Sequence, residues 1–360
     1  MTQMVELRER KLVLLGAGPT HLRLLRRLAT RRLPGLRTTL LVAQPQVYLP
    51  AHLPGFISGE HGVAACAVAI DSLAGRSGVR VVAQRADALE AASRTLTLDN
   101  GDQLAYDFLS LDPEPVQDRV SLELAMPGVR EHGLFLCPME AFTVLWPRVC
   151  ALPAERLRSV VAVGAGPLAV EVAFAVRQAL PQCAISLVTG AAGFLAKQPD
   201  HLRLALRRAL QRAAINVLED KVLALGVGRV RLGCGADLVC DVPIIATDPL
   251  WPPWLLHSGL ATEGDGNVVA TDDCLRAIAH AEVFVAPPNA GAAVARSLHA
   301  NLRRVAGGLN PQSVGSVGSG LKFVDLGNRR ALARWHSYCF AGHLAWRWKQ
   351  WCDRHDGSTH

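Results

Sequence analysis

The sequence predicts an α/β protein of two doubly wound domains, the second inserted into the first, closed by a C-terminal amphipathic helix. Three observations carry that expectation. The chain has 360 residues, about twice the length of a typical single domain. A strand, a glycine-rich turn and a helix follow one another twice, at residues 11–29 and again at 160–180. Four of the seven tryptophans, Trp335, Trp346, Trp348 and Trp351, crowd together near the C-terminus.

Composition bounds the function classes. Half of the residues are hydrophobic and 19% are charged, with 31 Gly and 21 Pro spread along the chain, which is globular composition rather than disorder. The net charge of +7 admits nucleotides, lipid head groups and nucleic acid alike and selects none of them. The nine cysteines include no CxxC pair and no His/Cys cluster at zinc spacing. Reduced apolar fillers are expected, with neither a disulfide framework nor a metal site. The N-terminal MTQMVELRERK is polar and the apolar run behind it stops at Gly16. Neither a signal peptide nor a membrane-spanning segment is expected, and the expected location is cytoplasmic.

Residues 11–29, KLVLLGAGPTHLRLLRRLA, read as a buried strand over Leu12 to Leu15 and the turn Gly16-Ala17-Gly18. Pro19, Thr20 and His21 then open a helix with Leu22, Leu25, Leu28 and Ala29 on one face. In a Rossmann-type dinucleotide-binding turn the first glycine permits the bend. The second lets a pyrophosphate approach the helix N-terminus, where free N–H groups and the helix dipole favour anions. His21 stands where a third glycine is usual. The second unit, VVAVGAGPLAVEVAFAVRQAL, repeats the pattern with Gly164, Ala165, Gly166, Pro167 and Leu168, then Ala169 in the third position. Glu171 follows in the first helical turn, a place that helix electrostatics alone favour for an acid.

These residues, Gly16 to His21 and Gly164 to Leu168 with Glu171, are the candidate cofactor-binding set, and no side chain is nominated as catalytic. The acid expected at the end of each second strand is absent. Ala43 and Gln44 stand there in the first unit, Thr189 and Gly190 in the second, with Lys197 not far beyond. NADH and NADPH are therefore not distinguished.

The segment order resembles the pyridine-nucleotide oxidoreductases with two dinucleotide-binding domains. The nearest resemblance is to type II NADH dehydrogenases and to the NADH-dehydrogenase-like flavoprotein domain fused to selenide, water dikinase. GAGPTH at 16–21, VYLPAHLPGFISGEHG at 47–62, YDFLSLD at 106–112 and CPMEAF at 137–142 resemble motifs of the latter. So do VGAGPLAVEVAFAV at 163–176, the stretch 244–286 and the stretch 321–355. The resemblance implies an FAD-type domain over 1–120 and 242–320 and an inserted NAD(P)-type domain over 121–241. A C-terminal strand and amphipathic helix would follow over 321–360. It implies FAD in the first domain, NADH or NADPH in the second, and hydride transfer through flavin to a quinone-like or small soluble acceptor.

Four places depart from that pattern. Asp112-Pro113-Glu114-Pro115 replaces a glycine turn, and Ala246-Thr247-Asp248 replaces an ATG turn read as part of the flavin site. Pro287-Pro288 replaces a Gly-Asp pair, and AGAAVARSL at 290–298 is shortened. Together they suggest the alternative of a pseudoenzyme, acting as a nucleotide sensor or as the non-catalytic subunit of a related oxidoreductase. No dithiol is available for disulfide reduction, and Cys137, where relatives carry Lys, is expected to be a buried inert thiol.

Two basic helices, over 21–32 and 201–213, lack interleaved aromatics. They are expected to be solvated faces rather than a nucleic-acid surface. In the tail, Ala341, Leu344, Ala345, Trp348, Trp351 and Cys352 fall at i, i+3, i+4 spacing opposite His343, Arg347, Gln350 and Arg354. Residues 337–354 are thus expected to form a peripheral membrane contact, at the inner face of the cytoplasmic membrane, or a dimer contact.

Overall fold

The computed structural model describes residues 9–114, 116–196, 198–248, 250–263, 268–287, 290, 292–315, 322–335 and 338–357. Lys197, Pro115 and Pro288 lie outside the described residues, as does Gly291 within the shortened stretch. The chain divides into two compact units. One comprises Met1–Val47, Val68–Pro115 and Trp251–Gly320, the other Tyr48–Ala67, Val116–Leu250 and Leu321–His360.

In the first unit Arg10–Leu15 is flanked in parallel by Leu36–Val42 and Phe108–Leu111. Arg80–Ala83 extends one side and His280–Val285 the other, with antiparallel Arg276–Ala277 at the edge. Strands covered on both faces read as continuous apolar runs, and Leu12, Val13 and Leu14 are at most 1% exposed. A three-stranded antiparallel sheet, Ala86–Glu90, Thr95–Leu98 and Gln103–Ala105, accompanies it.

The second unit repeats this plan. Its parallel sheet runs Leu134–Phe135, Val242–Ile245, Ser159–Val163, Ala184–Val188 and Ile215–Leu218. Its three-stranded antiparallel sheet is Val222–Gly226, Arg229–Leu232 and Asp237–Val239. The repeat visible in the glycine motifs therefore extends to whole units.

The units differ from the expected boundaries at four places, the first being Val116–Val120, which fall in the second unit. Val242–Ile245 belongs to the second unit because it pairs in parallel with Val160–Val163. Residues 48–67 belong there too, Leu53, Phe56, Ile57 and Cys66 sharing a core with Phe142 and Trp146. The tail, 321–360, is likewise part of that unit.

The tail begins with an antiparallel sheet of Lys322–Asp325, Ala331–Trp335 and Tyr338–Gly342. The helix follows only at His343–Gly357, so residues 338–342, expected to be helical, are a strand. Tyr338, Cys339 and Phe340 suit a pleated surface better than a helix, and pairing with Ala331–Trp335 decides the matter. The helix docks on this sheet through Ala345, fully buried beside Ala331 and Ala333, and through Lys349. Leu344, Trp348 and Trp351 stay outside, 78%, 44% and 54% exposed.

Candidate functional site: two glycine turns closed by aspartates

The helix Pro19–Thr30 starts from Gly18 as N-cap, with Pro19 presetting the first helical φ. Gly16 takes φ +84°, a conformation that residues with a Cβ avoid. The turn is pinned by Gly16 N–H donating to Leu41 O at 2.8 Å and Gly18 N–H donating to Asp112 O at 3.1 Å. A Cβ on Gly16 would overlap the Asp112 carbonyl, and a Cβ on Gly18 would overlap the Asp112 carboxylate.

That carboxylate is the main feature of the site. Asp112 follows the strand Phe108–Leu111 directly, and its Oδ2 accepts from His21 N–H at 2.7 Å. The Thr20 N–H also bonds to it. These are the free N–H groups of a helix N-terminus, which a dinucleotide pyrophosphate would otherwise use. Asp112 thus caps the helix from inside the fold and fills the space beside the second glycine. Burial pushes its carboxyl up to about 7, while the His21 and Thr20 N–H bonds and Arg23 draw it back down.

His21 is fully buried. Its Nδ1 lies 2.7 Å from Gly16 O and its Nε2 lies 2.8 Å from Ser110 Oγ. A carbonyl oxygen only accepts, so Nδ1 carries the proton and Nε2 accepts from the Ser110 hydroxyl. Burial holds the imidazole down to about 4 against the Gly16 bond. His21 replaces the third glycine by turning its ring inward, where Nδ1–H closes on Gly16 O, while its backbone N–H meets Asp112. The trio Ser110, His21 and Asp112 is no nucleophilic triad. Asp112 bonds the His21 backbone rather than its ring, and Ser110 is fully buried.

The second turn is built alike. Gly164 N–H donates to Val188 O at 2.9 Å, and Gly166 caps the helix Pro167–Ala179, again with proline leading. Ala165 lies between them, Leu168 packs at the edge of the core, and Ala169, fully buried, sits close to Gly164. A Cβ on Gly164 would overlap the Ala246 carbonyl, and one on Gly166 would overlap the Asp248 carboxylate.

Asp248, assigned from the sequence to the flavin site, therefore belongs to the second turn. Strand Val242–Ile245 delivers it there, in the same sheet as Ser159–Val163. Judged by the carbonyl that touches the first glycine, Asp112 corresponds to Ala246, and Asp248 lies two residues further on. The two aspartates thus reach equivalent places from different positions. They differ in access, Asp112 being buried and Asp248 exposed.

Other predicted residues fall elsewhere. Glu171 lies beyond the first turn of its helix, which holds no acid because the helix starts at Pro167, and it accepts from Asp325 N–H at 2.8 Å, tying the tail sheet to that helix. Cys137 is half-buried, its thiol pushed up to about 11 mainly by burial, which suppresses the thiolate. The basic face of the first helix is not wholly solvated, since Arg23 donates to Ala290 O at 2.7 Å and is half-buried. On the other basic helix, Asp200–Arg212, Arg207 pairs with Glu219. Among the described residues no helix is long and apolar enough to cross a membrane, and no group of three or more His, Cys, Asp or Glu could hold a metal.

No protein-family model and no curated protein sequence matches the chain. Solved structures do resemble it. The sulfide:quinone oxidoreductase of Aquifex aeolicus matches with TM-score 0.77 and 14% identity over 96% of this chain and 90% of that one. The NDH2 of Plasmodium falciparum, in complex with NADH, gives 0.72 and 12% over 97% and 96%. A water-forming NADH oxidase from Lactobacillus brevis gives 0.69 and 14% over 90% and 74%. The expected fold, that of the pyridine-nucleotide oxidoreductases with two dinucleotide-binding domains, is the fold observed.

Proposed function

We propose that this chain is a pseudoenzyme of the two-dinucleotide-domain oxidoreductase fold, a scaffold whose first glycine turn is held closed by its own aspartate. One observation carries the proposal: the Asp112 carboxylate, buried and bonded to His21 N–H, lies against Gly18 where a pyrophosphate would approach. A second anion there would meet that charge at close range in a medium of low dielectric. The residues present therefore do not fit FAD at this turn. Asp248 lies against Gly166 as Asp112 lies against Gly18 but is exposed, so water and salt screen its charge. The second turn is the one left to a nucleotide in a sensor or in the non-catalytic subunit of a related oxidoreductase.

The similarity of fold to NADH-linked oxidoreductases favours a second reading. It is a FAD-dependent NAD(P)H oxidoreductase that passes a hydride through flavin to a quinone-like or small soluble acceptor. Such catalysis requires Asp112 to leave the turn. An assay of NADH and NADPH oxidation with added FAD and a soluble quinone separates the two. The pseudoenzyme predicts no turnover above the protein-free rate, whereas saturable quinone reduction establishes the oxidoreductase.

The exposed Leu344, Trp348 and Trp351 support a peripheral contact of the tail helix with an anionic membrane surface, as rings at head-group depth beside cations would make. A contact between two copies of the chain is the competing outcome.

A further inference from the structure

A cavity of about 470 Å³ in the second unit takes no part in the glycine turns. The segment 51–65 and the tail sheet and helix wall it. Both acids in its lining are engaged. Asp325 faces Lys349 Nζ at 3.6 Å and accepts from Gly327 N–H at 2.9 Å. Glu60 accepts from Gln178 Nε2 at 3.0 Å. Two further side chains of the lining, His61 and Arg329, make no hydrogen bond or ion pair among the described residues, although the His61 ring lies 5.7 Å from that of His52. Ala51, Gly55 and Ala65 supply small apolar walls.

The backbone that presents Arg329 gives a second, independent sign. Asn328 and Arg329 have φ +50° and +55°, and Arg330 N–H donates to Gly327 O at 3.0 Å. These are the marks of a type I′ hairpin turn, whose favoured sequence is Asn-Gly. Asn tolerates the left-handed conformation, but arginine in the glycine place is strained. The turn is held there by Gln178, whose Oε1 accepts from Asn328 N–H at 2.7 Å. Strain kept in this way clusters at ligand sites.

We infer that this cavity binds a small organic carboxylate with an apolar body, its charge received by Arg329 with His61, its body lying against the Trp346 ring and the alanines. A planar guanidinium is suited to a carboxylate, and the volume lies within the range of small-molecule sites. The site stands whether or not either glycine turn takes a nucleotide.

Calorimetric titration of the full chain with benzoate, and separately with benzamide as its uncharged counterpart, tests this. Benzoate is expected to bind saturably, one per chain, with a Kd of about 1 mM or tighter, and benzamide at least about tenfold more weakly. Arg329→Gly supplies the control for folding. It relieves the left-handed strain, so its Tm is expected to rise while benzoate affinity falls at least about tenfold. Absence of saturable benzoate binding, equal binding of benzamide, or unchanged affinity in Arg329→Gly overturns the inference.

Discussion

Asp112 and His21 titrate against each other. The Asp112 carboxyl rises from its ordinary 3.8 to about 7 in the folded chain. The native state then holds a proton more tightly than the unfolded state, and stability falls as pH rises from about 4 to about 7. His21 falls from 6.5 to about 4, so the unfolded state is the better proton acceptor there, and stability rises between about 4 and 6.5. The two contributions oppose each other over that window. Asp112→Asn, which keeps the carbonyl acceptor for His21 N–H and removes the titration, should leave stability little changed near pH 4 and raise it at pH 8. Urea denaturation at both pH values checks this, and an equal effect at each would refute the assigned ionisation. His21→Ala should cost about 2–4 kcal/mol, since it opens a cavity and strips partners from Ser110 and Gly16. A loss under about 0.5 kcal/mol, as at a solvated surface position, would mean that the ring does not hold the turn.

At the scale of elements, the tail helix divides its apolar residues between two duties. Ala345 packs on the tail sheet, while Leu344 and Trp351 face outward and Trp348 stacks on Phe340 with ring centroids 6.1 Å apart. Leu344→Glu therefore tests surface contact with less damage to packing than a change at Trp348. An interfacial helix gains about 25 cal/mol per Å² of apolar surface removed from water and about 1 kcal/mol for each cation near an anionic surface. We predict sedimentation with anionic vesicles that falls with added salt and is lost in Leu344→Glu. A wild-type chain that never pellets with vesicles, and is a dimer that Leu344→Glu dissociates, would assign the face to assembly instead. Spacing made this helix legible in sequence, but not its start, because Tyr338–Gly342 suits a helical pattern and a strand alike until Ala331–Trp335 pairs with it. Both glycine turns were legible because proline, glycine and apolar runs act locally. The place of Asp112 was not, since its carboxylate meets His21 across 91 residues of sequence. Sequence pattern showed a missing glycine turn there but not the side chain that fills the space.

At the scale of the whole molecule, two units repeat one plan and close the same turn with aspartates that stand in different registers. The fold is shared with solved oxidoreductase structures, while the space beside Gly18 is filled by the Asp112 carboxylate. The apolar cores do not depend on that place, because Leu12 to Leu15 and Val160 to Val163 are buried within their own sheets. The most direct test is a calorimetric titration of FAD into the purified wild-type chain at pH 8, where Asp112 is ionised. Closure of the first turn predicts no saturable heat and a colourless protein after gel filtration. Stoichiometric uptake with a Kd of about 1 μM or tighter, leaving a yellow protein, would contradict it.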